Sequence, residues 1–246
     1  GALNSGKAVV TANKAVIALH GNELPRQALR FEAAVAGAIP IIQALQYGLV
    51  ANQFSSISGI INGTCNYMLS AMEEEGVGFD EILERAQALG YAEADPTFDV
   101  DGIDAAHKLT ILMALAFDTR FEFDKVYVEG IRAITPTDIN YAAELGYRIK
   151  HLGILRGHAD GIEARVHPTL VPHGELVAHV SGVLNAVQVV SDAAGKTLFS
   201  GPGAGGAATA SAVVADIVDT ALNSQRPSVD AVVDTSKAVL PVAQIS

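Results

Sequence analysis

Residues 91–117, YAEADPTFDVDGIDAAHKLTILMALAF, set five carboxylates (Glu93, Asp95, Asp99, Asp101 and Asp104) ahead of one lysine, Lys108, and an apolar run. The run reads as a helix. On it Asp104 and Lys108 stand at i and i+4 and so share a face, and the same stripe continues through Ile111, Leu112 and Leu115. No charge falls between Lys108 and Asp118, so the ionisable groups occupy only the first turns of a largely buried element. The plain alternative is a solvated i,i+4 ion pair worth at most about 0.5 kcal/mol. The apolar stripe points the pair inward instead. A lysine at a helix N-terminus faces the unfavourable pole of the dipole, and burial also opposes its charge, while the carboxylates oppose both. Such an ammonium suits proton transfer.

Working outward, KAVVTANK is a β-rich run ending in polar residues, and HGNEL is a loop before a helix expected around Pro25 to Arg30. FEAAVAGAIPIIQALQYGL gives a small-residue segment and then a helix opened by Pro40. FSSISGIINGTCNYMLSAMEEEG reads as strand, turn at Asn62-Gly63, and a helix ended by Gly76; an amphipathic helix with Ile82, Leu83, Ala86 and Leu89 on one face stops at Gly90. YVEGIRAITPTDINYAAELGYRIKHLGIL is strand, Thr-Pro turn, helix and strand, and GIEARVHPTLVP and AVQVVSDAAGKTLFSG alternate as strands do. The class is α/β to α+β with a mostly buried sheet. The last twenty-odd residues, polar and punctuated by proline, read as a linker or frayed tail.

With 246 residues, half of them hydrophobic, the chain can bury a large core. Leu109 to Phe117 falls far short of the roughly 20 apolar residues that a membrane span needs. Sixteen basic against 27 acidic residues give a formal charge of −11 with no basic cluster, which speaks against nucleic acid as a partner. Cys65 is alone, so no internal disulfide framework is expected, and the first residues carry neither Met nor a secretion pattern. These features suggest a cytoplasmic chain that begins within a longer fold.

Other motifs also have plainer readings. Gly63 and Thr64 fall where a strand turns into a helix, a geometry that suits an anion and equally an ordinary N-cap. Cys65 beside them has no evident partner base and reads as a small buried residue. His107 is adjacent to Lys108 but about 100° around the helix and is set aside as structural. His151, His158, His167, His173 and His179 show no metal-ligand spacing. Gly201, Gly203 and Gly206 match G-x-G-x-x-G, yet Arg226-Pro227 interrupts the unit and Asp234 lies 28 residues past Gly206, where about 20 is expected. A glycine loop approaching a cofactor from elsewhere is the better reading.

Taken in order, VVTANK, FEAAVAGAIPII, GIINGTCNYMLSAMEEEG, GYAEADPTFDVDGIDAAHKLTILM, ELGYRIKHLGI and GPGAGGAATASAVVADIV resemble the homoserine dehydrogenases, across residues 1 to about 223. The resemblance implies a remnant of a Rossmann-type nucleotide-binding domain (1–31), a mixed-sheet catalytic and dimerisation domain (32–205), a helix returning to the first domain (206–223), and a tail (224–246). It implies NAD- or NADP-dependent reduction of L-aspartate 4-semialdehyde to L-homoserine, on the route to threonine, methionine and isoleucine, by a homodimer or homotetramer. Lys108 would be the proton donor, Asp104 its partner at the reacting oxygen, and Lys14 a link between cofactor and substrate. Glu93 would receive the substrate ammonium, with Thr64, Asp99 and Asp104 also on the substrate side. Gly63 and Gly205, with Lys14, would line the nicotinamide. Glu32, Val35, Gly37 and Ile39 would hold a sodium-like monovalent cation, largely through carbonyl oxygens.

Two departures stand out. The family's NGTTNY is NGTCNY here, and the family's N-terminal half-sheet with its pyrophosphate fingerprint would precede residue 1. A dimerising scaffold without activity and a lyase using Lys108 as a Schiff base are the competing readings; the glycine loop would have no task in the lyase.

Overall fold

The computed structural model describes residues 1–223 and 238–240. The chain opens with strand β1 (Val9–Val10) and helix α1 (Lys14–His20), which Asn13 caps by accepting the Val16 N–H at 3.1 Å. Strand β2 (Leu29–Arg30) pairs in parallel with β1. The helix expected around Pro25 to Arg30 is therefore absent. Arg26–Ala28 make a single 3-10 turn, Leu29 joins the parallel pair, and Arg30 reaches Asp219 at 3.0 Å. Unpaired strand backbone is costly, and pairing overrides a weak local helix preference.

Helix α2 (Ile41–Gln43) follows Pro40 and runs into a π turn over Ala44–Gly48. Strand β3 (Phe54–Ile60) leads into α3 (Gly63–Glu75), closed by left-handed Gly76, and then come α4 (Phe79–Ala88), α5 (Thr97–Val100) and α6 (Ile103–Ala116). Strand β4 (Tyr127–Val128) precedes α7 (Pro136–Glu144), whose N-terminus is fixed by a capping box between Thr135 and Asp138. Two hairpins follow, β5 (Tyr147–His158) with β6 (Gly161–Pro172), and β7 (Leu184–Ser191) with β8 (Gly195–Pro202). Helix α8 (Gly206–Asn223) leaves the last of these strands. Most of the expected tail, with Arg226, Pro227 and Asp234, lies outside the described residues, but Val239–Leu240 form β9 in parallel with β6, where no strand was expected.

The main sheet has the order β4-β6-β5-β3-β7-β8, with β9 also on β6. It is mixed: β3 is antiparallel to both neighbours, whereas β4 and β9 run parallel to β6. Helix α6 covers one face, where Leu109, Ile111 and Leu112 join Ile57, Leu155, Ala164 and Val166 in one core. Ile60, Leu152, Ile154 and Ala186 fill the other face, as the two-residue side-chain period of a strand requires. A separate core of Met68, Leu69, Met72, Ile82, Ala86 and Ile139 joins α3, α4 and α7. No helix among the described residues is long and apolar enough to cross a membrane.

Because β8 is antiparallel to β7, the G-x-G-x-x-G at its end does not sit in a parallel βαβ unit. The loop joins the mixed sheet to α8 instead.

Candidate active site

The head of α6 is set by Gly102, left-handed at φ 86°, where an added Cβ would come within 3.0 Å of Val128 and 3.3 Å of His151. Two residues on, Asp104 is buried at 3% exposure. Its Oδ2 lies 2.7 Å from Lys108 Nζ and its Oδ1 lies 3.1 Å from Lys14 Nζ. One carboxylate thus joins two ammoniums from two elements, α6 and the first turn of α1. Lys108 Nζ also donates to the Ile61 carbonyl at 2.8 Å, which pins it to the end of β3. Lys14 rests over the Phe98 ring at 5.5 Å.

Asn62, unremarked in the sequence beyond its turn, closes this cluster. Its Oδ1 accepts the Cys65 N–H at 2.8 Å as the N-cap of α3, and its Nδ2 then donates to Asp99 Oδ1 at 2.7 Å and Asp104 Oδ2 at 2.9 Å. The N-cap bond fixes which way the amide points. Burial alone would raise the Asp104 carboxyl, but Lys108, Lys14 and Asn62 together hold it below the usual range. Asp99 is raised, chiefly by burial, with the Asp104 charge adding and the Asn62 bond opposing. Two carboxyls sharing one amide are thereby pushed apart in proton affinity, the pattern of an acid-base site.

The other acidic residues divide. Asp95 accepts the Thr97 N–H at 3.1 Å and Asp101 pairs with Arg132, so both are structural. Glu93 is exposed, with its main-chain carbonyl held by Gln87 Nε2 at 3.0 Å, and no hydrogen bond among the described residues ties its side chain to the Lys108 cluster. Thr64 donates its hydroxyl to the Tyr91 carbonyl at 2.7 Å, which anchors the segment carrying Glu93 to the head of α3. Cys65 is fully buried, its Sγ lies 3.3 Å from the Asp99 carbonyl, and burial pushes its thiol well up, which suits a packing role. His107 lies between Phe98 and Phe123, at 5.5 and 4.6 Å between ring centres, as a structural residue would.

Gly63 opens α3, and Gly205 (φ 112°) lies in the loop before α8 with no atom within 4 Å of an added Cβ. Farther off, Glu32 is buried and caps α2 with both oxygens, accepting from Ile42 at 2.9 Å and Gln43 at 2.8 Å. Val35, Gly37 and Ile39 follow through two consecutive left-handed residues, Ala36 (φ 55°) and Gly37 (φ 59°). That turn packs on the glycine loop, since a Cβ on Gly37 would come within 2.6 Å of Gly203 and Ala38 N donates to Pro202 O at 3.2 Å.

These features define a mixed-sheet α/β protein with a largely buried lysine–aspartate centre at the head of α6. The profile of the homoserine dehydrogenases matches residues 40–218, and the chain belongs to that family. It is 59% identical over 224 residues to a homoserine dehydrogenase of Pseudomonas aeruginosa, covering 89% of this chain and 52% of that protein. Its fold matches the crystal structure of a homoserine dehydrogenase from Thiobacillus denitrificans at TM-score 0.92 and 53% identity, covering 97% of this chain and 59% of that one. A hyperthermophilic archaeal homoserine dehydrogenase in complex with NADPH matches at TM-score 0.78 and 30% identity, covering 90% of this chain and 66% of that one. The chain spans about half the length of the curated relatives it matches.

Proposed function

We propose that the protein reduces L-aspartate 4-semialdehyde to L-homoserine, reversibly, with NADPH or NADH, in the cytoplasmic formation of threonine, methionine and isoleucine. The observation that carries this reading is the largely buried Lys108–Asp104 pair at 2.7 Å, held by Ile61 and Asn62, in a chain of this family.

Adding a hydride to an aldehyde carbon builds charge on its oxygen, which a positioned acid must neutralise. Lys108 Nζ delivers the proton to that oxygen, and Asp104, with Lys14 on its other oxygen, holds the ammonium in place. Asp99 and Asp104 complete the substrate side with the Thr64 end of α3. Glu93, exposed and with no hydrogen bond to its side chain among the described residues, takes the substrate ammonium. Bound nicotinamide supplies the hydride. Gly63 and Gly205 offer it a surface free of side chains, and Lys14 stands on the same side of Asp104 as α1.

For the monovalent cation the donor set fits carbonyl ligation. Both Glu32 carboxylate oxygens are taken by the α2 N–H groups, so ligation would fall to the main-chain oxygens of Val35 and Gly37 and to the second lone pairs of those of Glu32 and Ile39, which also accept from the Val35 and Ile41 N–H groups. Bound there, the cation would brace the turn that packs on Pro202 and Gly203. Residues 32–205 are the catalytic and dimerisation unit, flanked by 1–31 and 206–223 on the nucleotide side, and the enzyme works as a homodimer or homotetramer.

The test is an assay of the full-length protein with NADPH and either L-aspartate 4-semialdehyde or propanal. Turnover of the semialdehyde with little of propanal is expected, because Glu93 has nothing to grip in propanal. Equal turnover of both, or of neither, overturns the reading.

A further inference from the structure

Asn185 lies in β7 opposite Gly201, and its carbonyl accepts the Ser200 hydroxyl at 3.1 Å. Its side chain is 1% exposed, and neither Nδ2 nor Oδ1 has a hydrogen-bond partner among the described residues. Buried amides are seldom left so, because an unmade hydrogen bond costs the full desolvation of the group.

Two glycines adjoin this amide. A Cβ on Gly203 would come within 2.1–2.3 Å of its Cγ, Nδ2 and Oδ1, so the amide lies flat against the loop that enters α8. A Cβ on Gly63, the first residue of the thirteen-residue α3, would stand 3.6 Å from Oδ1 and 2.9 Å from the Val183 carbonyl. The unpaired amide is thus aimed between a helix N-terminus and a glycine loop, with no side chain from either in the way. The cover is the loop itself, exposed at Ala204, Gly205 and Gly206.

A ligand that satisfies both amide atoms must offer a donor and an acceptor along one edge and be thin enough to lie between two glycines. A carboxamide on a flat ring meets both conditions. It pairs with Asn185 in either rotamer, so the match does not depend on which amide atom is nitrogen.

We propose that Asn185 is a cofactor-positioning residue whose side-chain amide pairs with the nicotinamide carboxamide once the 203–206 loop shifts to admit it. This rests on the dehydrogenase reading given above.

The test uses the full-length protein with NADPH and with its reduced 3-acetylpyridine analogue, which keeps the carbonyl acceptor and lacks the amide donor. Wild type should favour NADPH in kcat/KM by at least about tenfold, the scale of one buried polar group left unpaired. N185L, of similar volume, should lose that preference to within about threefold while losing activity with NADPH. If N185L does not fold, N185D, which keeps the shape and the acceptor, should also shift the preference. Equal preference in wild type and variant overturns the proposal, because Asn185 would then be serving only the loop backbone. No turnover by wild type with either cofactor would instead overturn the dehydrogenase reading.

Discussion

Asp104 accepts from Lys108, Lys14 and Asn62 at once, and the three donors have separable duties. Asn62 does two jobs with one amide, capping α3 and holding Asp99 beside Asp104. Asn62→Ala should cost about 1–3 kcal/mol in urea unfolding, the scale of a lost cap plus an unpaired buried carboxylate, and lower kcat as well. Asn62→Asp keeps the cap but adds a third carboxylate, so stability should partly return and kcat should not. Recovery of both by Asp would mean that the amide does not organise the carboxylates. Glu93→Gln acts elsewhere. The proposed partner of its side chain is the substrate ammonium, remote from the reacting carbon, so KM should rise with kcat little changed; the reverse pattern would put Glu93 in the proton path. At this scale Asp104 and Lys108 were legible because helical spacing alone puts them together. The link from Asn62 to carboxylates far along the chain is tertiary, and only its turn position showed.

Elements were legible where local chemistry decided them. Asn62 and Gly76 bound α3, Gly90 follows α4, and Thr135-Pro136 starts α7, each by a capping rule that acts within a few residues. Where pairing decided, the reading failed. Leu29–Arg30 became a strand because Val9–Val10 needed a neighbour, and β9 exists only through β6, while α1 went unremarked despite its local Asn13 cap. Helix α2 carries a testable charge. Burial raises the Glu32 carboxyl from its ordinary 4.5 to about 7, with Asp216 adding and the Ile42 and Gln43 N–H groups opposing. The folded state therefore keeps a proton that the unfolded chain has released. Stability from this group is full below about pH 4.5 and is lost as pH climbs toward about 7, by an amount on the order of 3 kcal/mol. Urea unfolding at about pH 5 and about pH 8 should show this fall, and Glu32→Gln should flatten it, though less stable throughout because an amide offers one acceptor to two N–H donors. An unchanged slope in the variant would place the titration elsewhere.

Over the whole molecule, the core is well enclosed, but α8 shows Val214, Ile217, Val218 and Leu222 at 50–78% exposure, and α1 shows Val16 and Leu19 at 40–48%. A run of apolar side chains of that extent marks an interaction surface. A polypeptide limited to residues 1–246 should therefore self-associate in sedimentation and, on the proposed assignment of α1 and α8 to the nucleotide side, bind NADPH only weakly in a calorimetric titration. Micromolar binding would show that the 201–206 glycines make a sufficient nucleotide site alone. The formal charge of −11 and a mostly buried sheet were readable from composition and alternation and the mixed sheet from the family resemblance, whereas exposure of α8 depends on what stands beside it. The central claim concerns Lys108, and its most direct test is steady-state reduction of L-aspartate 4-semialdehyde by full-length Lys108→Ala. Alanine suits a helix, so folding should persist while kcat falls by about two to four orders of magnitude. Turnover close to wild type in a folded Lys108→Ala protein would contradict the account.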